Sequence, residues 1–187
     1  MRADAALNRR RVLAAAEEVF SERGTGASTE EVARRAGVGI GTVFRHFPTK
    51  RDLVAATLVA HLQELAAVAA DLAGTADATT ALHALLREMA RTGPAKLSLF
   101  RHLLADGAGL PEAAATASAA LRDGVAGLLH RAQAQGGVRP DVGVDEVYLL
   151  LRGLAQAQDA LPADERVLAR AVDVVLDGLS GSPRPSG

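Results

Sequence analysis

Along most of the chain, apolar residues return every three or four positions, the repeat of a helix with one buried face. Val12, Ala16, Val19 and Phe20 form the first such stripe. With Asn8 as N-cap and Gly24-Thr25-Gly26 as terminator, the spacing predicts a helix over 8–23, preceded by a loose arm over 1–7. Thr29 then opens a second helix: T-E-E-V places acids in the first turn and turns Val32, Ala33 and Ala36 inward. Gly37 makes a corner. A third, very short helix follows over about 40–46, where Val43 and Phe47 share one face four residues apart. At about 100° per residue, Gly41 and Arg45 point the other way, with Thr42 beside them and Phe44 and His46 on the flanks. Helices joined by a glycine corner in this way predict a helix-turn-helix.

Pro48 ends that element, and Thr49 can cap a long fourth helix reaching about Leu72, with Leu58, Leu62, Leu65, Ala69 and Leu72 on its stripe. Gly74 and a polar run close it. A fifth helix is predicted over 77–92 (Leu82, Leu85, Leu86, Met89), and Gly93-Pro94 predicts a break. A sixth covers 95–105 (Leu97, Phe100, Leu103, Leu104). Pro111 suits the first turn of a seventh, reaching about 135 with Leu121, Val125, Leu128 and Leu129 inward. The eighth, over 143–159, is apolar on more than one face. The ninth, over 163–179, shows Leu168, Ala171, Val172, Val175 and Leu179. The final residues, S-G-S-P-R-P-S-G, contain nothing that builds a core, which predicts a disordered tail over 181–187. The expected architecture is all-α with about nine helices: a helix-turn-helix domain over 8–50 and a helical bundle over 51–180. No internal repeat is visible.

Composition agrees with the pattern. Hydrophobic residues make up 49% of the 187 positions and aromatics only 3%, which favours helices packed through small and γ-branched side chains. The absence of Cys excludes a disulfide framework and a thiolate site. No run of about 18 apolar residues escapes a charge, and the N-terminus lacks an apolar signal core, so a cytoplasmic protein with no membrane partner is expected. The net charge is −1, but residues 1–52 carry ten Lys/Arg against seven Asp/Glu, and the rest carries eleven against fifteen. A basic end on an acidic body fits polyanion binding. The five His residues lack i,i+4 or H-x-H pairing, so no metal site is expected. No phosphate-binding loop or nucleophile motif is present, and neither a cofactor nor enzyme activity is expected.

Three runs carry a specific resemblance: R-R-V-L-A-A-A-E-E-V-F at 10–20, G-x-G-A-S-T-E-E-V-A-R-R-A-G-V at 24–38, and G-T-V-F-R-H-F-P-T-K-R-D-L at 41–53. Together they resemble the DNA-binding domain of TetR-family transcriptional regulators over some fifty ordered positions. The remainder resembles that family only in architecture. The resemblance implies a homodimer that binds a palindromic operator in double-stranded DNA, most simply a repressor relieved by a small apolar or amphipathic effector. It places Gly39, Ile40, Gly41, Thr42 and Arg45 where base edges are met, Thr29 near a phosphate at the cap of the second helix, and His46 and Lys50 on phosphates. Phe44 departs from the family's more frequent Tyr and loses that hydroxyl. Gly39 stands where a capping Ser is frequent. The chemistry of these residues fits independently: Arg45 can read guanine bidentately, the Thr42 methyl and hydroxyl can meet thymine or a backbone oxygen, and Lys50 pairs a cation with a helix N-terminus. Arg9, Arg10 and Arg11 fit a DNA backbone or a solvated charge run equally well.

For an effector, the polar or adaptable residues on otherwise apolar helices are Phe100, Tyr148 and Arg152 first, then Met89, His61, Arg101 and Gln156. For dimerisation, the last two helices offer Val147, Leu151, Leu154, Leu168, Val172 and Val175. Two other readings stay open from sequence: a regulator without a ligand or under a protein partner's control, and a helical enzyme with a vestigial DNA-binding motif.

Overall fold

The computed structural model describes residues 2–105, 107–160 and 164–180. Among these residues there are eight α-helices: α1 (Arg2–Arg23), α2 (Thr29–Ala36), α3 (Ile40–His46), α4 (Lys50–Leu72), α5 (Ala78–Leu104), α6 (Glu112–Ala134), α7 (Val144–Ala160) and α8 (Glu165–Ser180). A 3₁₀ turn over Gly24–Gly26 follows α1, and no strand occurs among the described residues. The predicted tail over 181–187 lies outside the described residues.

Two boundaries differ from the sequence reading. The expected loose arm is helical: α1 begins at Arg2, with Asp4 in its first turn, and Asn8 lies inside it. Ala5, Ala6 and Leu7 are strong helix formers, and Asn in a helix interior costs well under about 1 kcal/mol, so nothing forces a start at Asn8. The expected break at Gly93-Pro94 is also absent. α5 runs unbroken through Pro94, which reduces nine helices to eight. An interior proline costs about 3 kcal/mol, but Met89, Ala90, Leu99 and Leu103 are all buried on the two sides of it. Tertiary burial outweighs the local penalty. The continued helix also turns Leu99 inward and leaves Leu104 50% exposed, against the expectation that Leu104 packs in the core.

The chain divides into two compact units. The first comprises residues up to Leu62 together with Ala95–Ala117; the second comprises Gln63–Pro94 and the chain from Ser118 on. In the first unit, Val12, Val19, Phe20, Val32, Val43, Phe47, Leu53 and Leu58 are buried, so the first four helices close on one small core. In the second unit the expected stripe of α6 is confirmed by the burial of Leu121, Val125, Leu128 and Leu129. Small residues allow close helix approach there. A Cβ at Gly124 would lie 2.8 Å from that of Ala69, and one at Gly93 would lie 3.1 Å from that of Ala155. α4 is long and apolar enough by composition to span a membrane, yet Leu58, Leu62, Leu65 and Ala69 are spent inside the chain, and Gln63 and Glu64 interrupt its outer side.

Candidate nucleic-acid interface

The corner between α2 and α3 is fixed by backbone chemistry. Gly37 adopts φ +65°, ψ +37°, its N–H donates to the Arg34 carbonyl, and the Val38 N–H donates to Ala33 O at 3.1 Å. This double closure needs a left-handed residue, which glycine supplies without a Cβ penalty. At the other end of α2 the cap is Ser28, whose hydroxyl accepts from the Glu31 N–H at 3.2 Å. Thr29 is therefore the first helical residue, not the cap, and it is 8% exposed. The S-T-E-E run offers two hydroxyls in succession, and the one three residues before Glu31 completes the capping geometry.

α3 has the two faces its spacing predicts. Val43 is 0% and Phe47 3% exposed, while Gly41, Phe44 and Arg45 face solvent and Thr42 and His46 are half-buried. Gly39 starts the helix without a side-chain cap; its carbonyl takes the Thr42 N–H at 2.8 Å. Ile40 is 37% and Phe44 43% exposed, two apolar groups held outward beside Arg45. The His46 ring leans on Phe47, with centroids 6.1 Å apart. From the N-terminal arginines, Arg9 lies over the Phe47 ring at 5.4 Å, a contact that sequence spacing alone does not reveal.

Charge compensation separates α3 from its neighbours. Arg35 pairs with Glu18 and Glu22, and Arg23 and Arg34 with Glu31. Arg45 is exposed and has no hydrogen-bond or ion-pair partner among the described residues. A cation left uncompensated on an outward face, opposite a fully buried one, is suited to an external anion. After α3, Thr49 caps α4 reciprocally: its N–H and hydroxyl donate to an Asp52 carboxylate oxygen at 3.0 and 2.8 Å, and the Asp52 N–H donates back at 3.1 Å. Lys50 is thereby set half-buried in the first turn of α4.

Comparison with known proteins agrees with this geometry. Residues 12–57 match the profile described as bacterial regulatory proteins, tetR family, and residues 77–181 match that of the SbtR-like transcriptional regulator C-terminal domain. The second match alone covers more than half of the chain. The chain belongs to the TetR family of transcriptional regulators. It is thus a regulator by family, and that family is not one of enzymes. This TetR-family chain is also similar, over 96% of its length and 99% of the other chain, to two solved structures. One is a TetR transcription regulatory protein from Mycobacterium vanbaalenii (39% identical, TM-score 0.75), the other a TetR transcriptional regulator from Streptomyces coelicolor (32%, TM-score 0.76). HTH-type transcriptional regulators of Staphylococcus aureus are 43% identical over 54 residues, a match spanning 28% of this chain and 29% of theirs.

The residues singled out for an effector fall in both units. In the first, His61 is 8% exposed and its Nδ1 lies 3.0 Å from Glu17 Oε1, while its Nε2 is buried without a hydrogen-bond partner among the described residues. Phe100 is half-buried and Arg101 exposed. In the second, Met89 is buried and Tyr148 half-buried, its hydroxyl also without a partner among the described residues. Burial pushes the Tyr148 phenol up to about 12, so the hydroxyl keeps its proton and stands as a donor. The Arg122 guanidinium covers its ring at 5.5 Å. Arg152 and Gln156 are exposed. An open depression of about 530 Å³ at the start of α8 is lined by Asp164, Arg166, Ala169 and Arg170, none of them from the effector set.

The residues offered for dimerisation differ in how far the single chain already covers them. Val147 and Val172 are 1% and 4% exposed within the single chain, so their surface is already used. Leu151, Leu154, Leu168 and Val175 are half-buried. Among the described residues of α7 and α8, the large apolar side chains left outside are Leu149 (71%), Leu150 (42%), Val167 (44%) and Val174 (71%). Periodicity marks an apolar position without saying which of two apolar faces the chain itself consumes.

Proposed function

We propose that this regulator binds a near-palindromic duplex operator as a homodimer, with α3 in the major groove. The observation that carries the reading is Arg45: exposed, without an internal carboxylate, on a helix whose opposite side is locked down by Val43 and Phe47. Arg45 reads a guanine edge, Thr42, Gly39, Ile40 and Gly41 lie at base edges, and His46 and Lys50 hold phosphates. Phe44, lacking a hydroxyl, contributes apolar contact at the sugar–phosphate edge. One such module offers few base contacts, so two copies are required. The outward apolar residues Leu149, Leu150, Val167 and Val174 on α7 and α8 supply the surface that joins them. The protein acts in the cytoplasm, where its operator is.

A small apolar or amphipathic effector relieves repression. The support for it is a pair of buried polar atoms, His61 Nε2 and the Tyr148 hydroxyl, to each of which a ligand group would hydrogen-bond within its own unit. A second reading, regulation without a small ligand, is favoured by the close Gly124–Ala69 and Gly93–Ala155 approaches, which leave little room between those helices.

Selection of bound duplexes from a random pool tests the main reading. Two inverted half-sites are expected, and Arg45→Ala should weaken binding and relax preference at one position by about 1–3 kcal/mol. Recovery of single, non-repeated sites, or R45A binding like wild type, sinks it. A thermal-shift screen of apolar compounds, followed by operator titration with each stabilising compound, separates the two regulatory readings. If no compound both stabilises the protein and changes operator affinity, the ligand-free reading stands.

A further inference from the structure

Arg51 follows Lys50 in the first turn of α4, five residues beyond His46, and a basic pair in that place invites a phosphate assignment. The structure turns it elsewhere. Its Nη1 donates to the Leu103 carbonyl at 2.7 Å and its Nη2 to the Gly109 carbonyl at 2.8 Å, both partly buried. Leu103 lies in the last turn of α5, where carbonyls lack an intrahelical donor and carry the negative end of the helix dipole. Gly109 lies in the loop before α6 with φ +74°. The planar guanidinium spans both acceptors, which a single ammonium cannot do in the same geometry. All three residues belong to the first compact unit.

Two further contacts make the tie mechanically meaningful. The Thr49–Asp52 capping box fixes the backbone on both sides of Arg51. The same stretch of α5 also meets the corner between α1 and α2: a Cβ at Gly24 would stand 3.2 Å from Ser98 Oγ, and Ser98 is 8% exposed. The end of α5 is thus built into the DNA-binding unit, and only Phe47, Pro48 and the Thr49 cap separate α3 from the turn that Arg51 anchors.

We infer that Arg51 is a positioning residue for DNA binding: it locks the first turn of α4 to the end of α5 and to Gly109, sets the recognition helix through that turn, and neutralises no phosphate. The reciprocal consequence is that DNA binding stiffens the backbone at Leu103 and at Gly109 through Arg51.

The test uses the full-length protein and the duplex recovered by selection. Operator affinity is measured against salt for wild type, R51A, R51K and K50A, with circular dichroism confirming the fold of each. Loss of a phosphate contact in K50A should reduce the log–log salt slope by about one. R51A should weaken binding about tenfold with the wild-type slope, and R51K should resemble R51A although it keeps the charge. Hydrogen exchange at saturating duplex should show the backbone at Leu103 and at Gly109 slowed in wild type and unslowed in R51A. A slope in R51A reduced like that of K50A, wild-type affinity in R51K, or retained protection at Leu103 and Gly109 in R51A each overturns the inference. If R51A does not fold, R51K still decides the inference through affinity and hydrogen exchange, both of which a charge-only phosphate contact would leave as in wild type.

Discussion

Two glycines three residues apart in α6 make a controlled experiment. Gly124 and Gly127 both lie within the helix, so replacing either with Ala recovers the same intrinsic propensity, about 0.8–1.0 kcal/mol. Their surroundings differ. A Cβ at Gly127 meets nothing within 4 Å, whereas one at Gly124 falls 2.8 Å from the Ala69 Cβ. Carbon atoms are comfortable at about 3.5–4.0 Å, so the methyl groups would overlap by roughly 1 Å and the helices must part. Overpacking of this kind costs about 1–3 kcal/mol. Gly127→Ala should therefore stabilise by close to 1 kcal/mol, which is about 2–4 °C in Tm for a chain of this size. Gly124→Ala should range from neutral to about 2 kcal/mol destabilising. Urea and thermal unfolding at one fixed chain concentration measure both, because a dimer's midpoint depends on concentration. Adding Ala69→Gly to Gly124→Ala should recover part of the loss, a coupling that a double-mutant cycle isolates. If Gly124→Ala is as stabilising as Gly127→Ala, the packing of the second unit is wrong.

Other outcomes follow from single contacts. Arg9→Ala removes a cation–π contact to Phe47 and should cost about 0.5–1 kcal/mol of stability with the salt slope of operator binding unchanged; a lower slope would instead make Arg9 a phosphate contact. Burial pushes Lys96 down to about 8 from 10.5. Between those values the unfolded chain binds more protons than the folded one, so wild-type stability should rise with pH through this window. Lys96→Met should gain about 1–3 kcal/mol at pH 7 and lack that rise in urea titrations; parallel pH profiles for the two proteins would refute it. Leu149→Arg together with Val174→Arg, both on exposed positions, should leave a folded monomer by sedimentation and abolish operator binding. A dimer that survives both changes would place the interface elsewhere.

The family and the two faces of α3 were legible in the sequence because they depend on short-range facts. Gly37 must be left-handed, Val43 and Phe47 must share a face, and Arg45 must oppose them; each follows from spacing within one or two turns. Local rules misplaced what local rules do not decide. Pro94 is a strong breaker taken alone, and α5 continues because residues distant in the chain bury both of its halves. Val147 and Val172 look no different in sequence from Leu149 and Val174, since periodicity records apolarity and not which partner covers it. Ser28 and Thr29 are both capping hydroxyls, and only the reach to the Glu31 N–H separates them. Arg51 differs from its neighbour Lys50 by nothing but tertiary placement: its acceptors are two carbonyls more than fifty residues away, and carbonyls leave no mark on the side-chain pattern from which a sequence is read.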